Sequence, residues 1–198
     1  MLDQLPDVPS ERDMKRLMEG EIPGPCPERN RAILELLYGA GLRASEVVAI
    51  NLADFQESRV LLVHGKGSKE RFAVFGECAR RAVEAWLPVR KKMLRKFKLK
   101  TDALFFSVGP HHSAERLDVR SVGRIVKRVA VANGLPPFNP HALRHACATH
   151  MHNHNAPLQA VAIQLGHENF STAQVYTRVS TGRMLDVYRK AHPHAISA

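Results

Sequence analysis

At 198 residues the chain has room for one sizeable core, and 44% hydrophobic with 24% charged residues excludes a disordered polymer. No apolar run approaches the roughly 20 residues of a membrane helix and no signal-peptide pattern opens the chain, so a soluble, cytoplasmic protein is expected. A net charge of +10 points to an anionic partner, nucleic acid ahead of a membrane surface. The three cysteines Cys26, Cys78 and Cys147 form no CxxC pair and are given structural roles rather than a disulfide framework.

Residues 1–9, with two prolines and no periodicity, read as an entry linker, and residues 10–198 as a single domain. Ser10 offers an N-cap with Asp13 three residues on, and Met14, Leu17 and Met18 form the apolar stripe of a short helix. "EIPGPCP" ends it. A second helix spans 29–38 with Ile33, Leu36 and Leu37 inward, Gly39 and Gly41 bracket a tight turn, and a third helix covers 44–50. "RVLLVHGKGSKERFAVF" is two strands around a glycine-containing turn, a β-hairpin.

A long basic helix follows over 77–97, with Pro88 placed to kink or split it. Residues 90–100, "RKKMLRKFKLK", hold seven cations and no acid, interleaved with Met93, Leu94, Phe97 and Leu99, as in a helix with one buried edge and one solvated face. "DALFFS" is a short apolar strand and "GPHHSAER" a loop. Residues 118–133 are helical, with Gly134 as the stop. Asn139 caps a helix whose first position is Pro140. Pro157 opens the next, stopped by Gly166. Ser171 or Thr172 opens a short one carrying Tyr176, and a last helix starts at Thr181. The fold class is mainly α with a small antiparallel β-sheet (α+β).

The segment His141-Ala-Leu-Arg-His145 places two imidazoles and a guanidinium at i, i+3 and i+4, on one helical face. It also lies in the first turns of its helix, where free N–H groups and the dipole favour an anion. Metal is set aside. HxxxH occurs at 141/145 and 150/154, but zinc wants three or four convergent ligands and no cysteine pair assists. No metal and no cofactor are expected, and His150, His152 and His154 are assigned to the helix end and the surface.

Phosphate fits better, because a guanidinium grips phosphate oxygens bidentately. A second fork, Arg43, follows the glycine-bracketed turn, with Glu46 one helical turn on. Singly, each candidate has an ordinary explanation. Arg43 with Glu46 is also a surface ion pair, Lys66 in "GKGSK" a solvated hairpin lysine, and Tyr176 a half-buried core residue. Tyr38 and Tyr188 lie on apolar helix stripes and read as core.

The ordered set is more telling: Arg43, Lys66, His141-x-x-Arg144, His167, Tyr176. "AGLRASEVVAINLADF", "GKGSKER", "HALRHACATHM" and "LGHENFSTAQVYTRV" together resemble the boxes of the tyrosine recombinase (phage integrase) family, from about residue 10 to residue 194, and "YRKAHPHA" resembles its bacterial Xer-type branch. Two features depart from the family pattern. The helical DNA-clamping domain that normally precedes the catalytic core is not expected within these residues, and Ala156-Pro157 stands where an acid is often found.

The resemblance implies a catalytic core that breaks and rejoins DNA without metal or ATP. Tyr176 would attack the scissile phosphorus, Arg43 and Arg144 would hold the non-bridging oxygens, and His167 would add a hydrogen bond. Lys66 would protonate the leaving 5′-oxygen, and His141 would handle the tyrosine's proton. Glu46 would orient Arg43, with His145 as a helper. It further implies double-stranded DNA as partner and a homo- or hetero-tetramer tethered by the helix at 181–192, through Met184, Leu185, Val187 and Tyr188, serving chromosome or plasmid dimer resolution. Backbone phosphates would be met by Lys91, Lys92, Arg95 and Lys96. The rivals are a mobile-element integrase, a catalytically silent DNA-binding protein of the same fold, and a hydrolytic phosphodiesterase that uses the histidines.

Overall fold

Helix α1 (Glu11–Glu19) starts at a reciprocal cap. The Ser10 Oγ accepts the Asp13 N–H at 3.1 Å, and the Ser10 N–H donates to the Asp13 carboxylate at 3.2 Å. The computed structural model describes residues 8–55, 59–64, 70–108, 115–166 and 178–195. Helix α2 (Pro27–Tyr38) begins two residues earlier than expected, because Pro27 occupies the first turn, where its missing N–H costs nothing. Ile33, Leu34, Leu36 and Leu37 are all fully buried, so α2 is the central rod against which the long helix α4 (Glu77–Lys96), α1 and the later helices pack.

After the turn at Gly41 comes α3 (Ala44–Ala49), then the antiparallel strands β1 (Val60–His64) and β2 (Glu70–Val74), with Val60 opposite Val74 and His64 opposite Glu70. Leu61, Val63 and Ala73 face the core while Phe72 turns outward, the alternation a half-buried ribbon requires. Arg71, opposite Val63, shares the core face.

Pro88 neither splits nor ends α4. Its missing N–H deprives the Glu84 carbonyl of a helical donor, but both residues lie on the exposed side, where solvent serves that carbonyl. Arg90, read as part of the solvated charge run, is turned inward. Its Nε and Nη2 donate to the Ala103 carbonyl at 3.1 and 2.7 Å, and Nη2 also to the Thr101 carbonyl at 2.8 Å. The expected strand "DALFFS" is not one. Ala103 bridges Asn51 and Phe106 bridges Arg116, so no continuous partner runs beside it. Its side chains from Ala103 to Phe106 are nonetheless buried.

Helix α5 (Val119–Ala132) is capped by Asp118, whose carboxylate accepts the Ser121 N–H at 2.8 Å. Helix α6 (Pro140–Asn153) is capped by Asn139, which accepts the Ala142 N–H at 2.9 Å. Helix α7 (Leu158–Leu165) ends at Gly166, in the left-handed conformation at φ 67°. The buried Gln164 amide donates to the carbonyls of Ala40 and Val74 at 3.0 and 2.7 Å and accepts the Val74 N–H at 3.3 Å.

Helix α8 (Arg178–Ala191) starts ahead of the predicted Thr181. The short helix expected to carry Tyr176 lies outside the described residues. Met184, Leu185 and Val187 pack against this chain's own core, and Tyr188 is fully buried in it. Ala195 accepts the Glu77 N–H at 3.0 Å, which returns the chain to the start of α4.

His150 corrects the surface assignment. It is buried, with Nδ1 3.0 Å from the Tyr38 hydroxyl, because α6 lies against α2 at that point. His154, the C-cap, is half-exposed beside Glu11 at 2.9 Å, and His152 is exposed, both as expected. Cys26 and Cys147 are buried free thiols and Cys78 is half-buried. Among the described residues no helix is long and apolar enough to cross a membrane.

Candidate active site

Gly41, at φ 62°, turns the chain from α2 into α3. A Cβ there would lie 2.8 Å from the Leu165 Cδ2 and 3.1 Å from the Cys147 Sγ, so the turn needs glycine both for its dihedral and for the close approach of α6 and α7. Two residues on, Arg43 caps α3. Its backbone N–H donates to the Glu46 Oε2 at 2.8 Å and its Nη1 to the Glu46 Oε1 at 3.0 Å. The Arg43 side chain is 48% exposed while that of Glu46 is 4% exposed. The carboxylate thus anchors the guanidinium from behind and leaves its outer face to solvent.

Arg144 arrives from the first turns of α6. Its Nη1 donates to the Gly41 carbonyl at 2.6 Å and its Nη2 to the Leu165 carbonyl at 2.5 Å, with the Glu46 Oε2 3.8 Å away. A third guanidinium reaches the same carboxylate: the Arg71 Nη2 donates to the Glu46 Oε2 at 2.9 Å and its Nη1 to the Gln164 carbonyl at 2.9 Å. Three cations around one carboxylate leave an uncompensated positive charge, the electrostatic requirement for holding an anion.

Arg43, Arg144 and His141 line one open cavity of about 420 Å³, with the α6 cap Asn139 on its wall and Val119 and Gly123 of α5 opposite. Burial, and then the neighbouring Arg43 charge, pulls Arg144 down to about 10, which leaves it cationic at neutral pH. Burial, then the nearby His145, Arg144 and Arg43, pushes His141 below the usual imidazole range, toward its neutral form. Its Nε2 lies 2.8 Å from the His145 Nε2, with ring centroids 4.3 Å apart and nearly perpendicular. One of these nitrogens must carry a proton and the other a lone pair, so the pair forms a ready proton-transfer couple.

Arg43, Glu46, His141, Arg144 and His145 are therefore brought together. Lys66, His167 and Tyr176 lie outside the described residues. Lys91, Lys92, Arg95 and Lys96 are exposed on the last turns of α4, and none of them lines the cavity. Sequence reasoning missed Arg71, Gln164 and the approach face of α5, where exposed Arg120 and Arg124 flank the cavity-lining Val119 and Gly123. A signal for Arg71 was present. In a strand whose alternate positions are apolar, a cation on the core-facing row demands a buried acid or carbonyl.

The phage integrase family matches residues 9–183, and the chain belongs to it. It is 44% identical over 168 residues to the tyrosine recombinase XerC of Corynebacterium glutamicum, covering 84% of this chain and 52% of that protein. It is 38% identical over 194 residues to the tyrosine recombinase XerD of Oceanobacillus iheyensis, covering 97% and 64%. This chain thus spans between about half and two thirds of these curated relatives' length. In fold it is similar to the XerH site-specific recombinase solved in a post-cleavage complex with its palindromic difH substrate, with TM-score 0.67, 22% identity, and coverage of 92% of this chain and 53% of that one.

Proposed function

We propose that the chain cleaves and rejoins DNA strands at a specific site through a 3′-phosphotyrosyl intermediate, in Xer-type recombination such as the resolution of chromosome or plasmid dimers. The observation that carries this reading is the shared basin: two guanidiniums from distant parts of the chain, backed by Glu46, beside a histidine pair at a helix N-terminus.

The phenolic oxygen of Tyr176 forms a bond to phosphorus while the bond to the 5′-oxygen breaks. His141 takes the phenol's proton and passes it along the His145 couple. The negative charge that gathers on the non-bridging oxygens meets Arg43 and Arg144, already fixed in place, so the transition state gains more than the ground state. His167 adds a hydrogen bond to the same oxygens, and Lys66 supplies the proton the departing 5′-oxygen needs. Attack by another strand's 5′-hydroxyl reverses the sequence. Bond energy is conserved, which removes the need for ATP.

The DNA partner is held through backbone phosphates, by the α4 cations Lys91, Lys92, Arg95 and Lys96 and by Arg120 and Arg124 beside the cavity. Exchange takes place in a homo- or hetero-tetramer on DNA tethered through residues 181–192. Because Tyr188 and its neighbours are packed in cis in the isolated chain, the tether would form only as α8 is released on assembly. Sedimentation is expected to give a monomer without DNA and a larger species with it.

The test is a nicked suicide duplex incubated with the wild type and with Tyr176→Phe. A covalent protein–DNA adduct in the first and none in the second is expected. Release of free, cleaved DNA by both would instead support hydrolysis, and binding without cleavage a silent DNA-binding protein.

A further inference from the structure

We infer that Arg71 is a positioning residue for strand cleavage, setting the two phosphate-facing guanidiniums through Glu46 and the end of α7. The inference rests on the function proposed above. Arg71 is only 8% exposed and is not among the residues that line the cavity. Its Nη2 holds the Glu46 Oε2, whose partner oxygen holds Arg43. Its Nη1 holds the Gln164 carbonyl, one residue before the Leu165 carbonyl that receives Arg144.

Packing tightens this arrangement. Gly166 follows Leu165 at φ 67°, and a Cβ there would stand 2.3 Å from the Arg71 Cδ. The α7 terminus is therefore shaped around this side chain. Arg71 also belongs to β2, one residue past the Glu70 that closes the hairpin ladder against His64. One side chain thus joins three segments that carry the proposed machinery: the hairpin bearing Lys66, the α3 cap bearing Arg43, and the α7 end preceding His167. A neutral replacement would leave the Glu46 Oε2 with the Arg43 N–H as its one remaining donor, so the carboxylate would shift toward Arg144, 3.8 Å away, and draw that guanidinium from the anion. Small displacements of this kind carry large rate penalties, because the phosphate donors must be in place before charge develops.

The experiment measures single-turnover cleavage of the nicked duplex by Arg71→Gln and by Arg71→Lys, which keeps the charge but loses the planar fork. DNA affinity and thermal melting are recorded alongside. At saturating DNA the Arg71→Gln cleavage constant is expected to fall by about tenfold to a hundredfold, with half-saturating DNA changed less than about twofold, and with Arg71→Lys between it and wild type. The Arg71→Gln/Glu46→Gln double variant is expected to lose less than the product of the two single losses, because they share the Glu46 carboxylate.

Wild-type cleavage by Arg71→Gln would overturn the inference. So would a deficit confined to DNA affinity, or rate losses that multiply in the double variant. Should Arg71→Gln fail to fold, Arg71→Lys decides by the same criteria. If the wild type itself forms no Tyr176-dependent adduct, the proposed function fails first and independently of Arg71.

Discussion

Helix α6 carries the spacing His-x-x-x-His twice, and the two copies meet opposite fates. At the N-terminal end, His141 and His145 face each other across 2.8 Å on an exposed face beside two guanidiniums. At the C-terminal end the pair is separated. His150 turns into the core under the Tyr38 hydroxyl, while His154, past the last helical residue Asn153, pairs with Glu11 on the surface. The same spacing therefore keeps two histidines together only where both lie within the helix, and what packs beside each decides its chemistry.

The two ends also treat charge differently. The first gathers cations around Glu46 and keeps them at the edge of an open basin. The second buries neutral imidazoles: His192 lies against Tyr38 and Tyr188 and is pushed down to about 3 by burial. One half-buried charge pair is kept there, where His194 meets Glu35 at 3.0 Å. Burial works against the charged form of His194, but hydrogen bonds to Cys78 and Glu35 carry it up to about 10. The first end is arranged to receive an anion, and the second holds the C-terminal segment to α2.

The sharpest break of this contrast is Arg144→Ala. Cleavage is expected to fall by about a hundredfold to a thousandfold, the cost of deleting a fixed oxyanion donor, read in single turnover on the nicked duplex. Orphaning the Gly41 and Leu165 carbonyls adds a loss of about 1–3 kcal/mol in stability, read by denaturant unfolding. Glu46→Gln is next. Removing the one carboxylate among three guanidiniums should cost about 3 kcal/mol or more in unfolding free energy, and slow cleavage as well.

Tyr38→Phe strikes the other end only. The His150 Nδ1 loses its partner, about 1 kcal/mol or roughly 3 °C in Tm is lost, and the cleavage constant is unchanged.

The pH dependence of stability sharpens the same comparison. Below pH 6.5, the ordinary imidazole value, an unfolded chain takes up the proton that folded His192 refuses, so stability falls from there toward pH 3. His194 has the opposite sign. It stabilises fully below 6.5 and loses that contribution as pH rises toward 10. Above 9, the buried Cys147 thiol, pushed up to about 12 by burial, adds to the alkaline loss. Thermal melts across pH should therefore peak between these limbs, and His194→Gln should flatten the alkaline one. The smallest effect is expected of His145→Ala: it removes one of the charges that depress His141, so the acid limb of the cleavage profile moves to higher pH.

Local signals carried much of the fold. The Ser10 and Asn139 caps, the Gly166 stop and the β-hairpin were all legible, because each rests on residues within a few positions of one another. The Arg43–Glu46 pair was legible for the same reason. What was missed is long-range. "DALFFS" has the composition of a strand but no ladder partner, Arg90 looks solvated until the Ala103 carbonyl approaches it, and Arg71 gains meaning only when β2 meets α3 and α7.

Gln164 has one further consequence. Its side-chain amide gives and receives at Val74 as the peptide group of a neighbouring strand would. A two-stranded ribbon has two open flanks on which a foreign strand can nucleate aggregation. Along β2 that flank is already sealed at Val74, by an imitation strand one residue long.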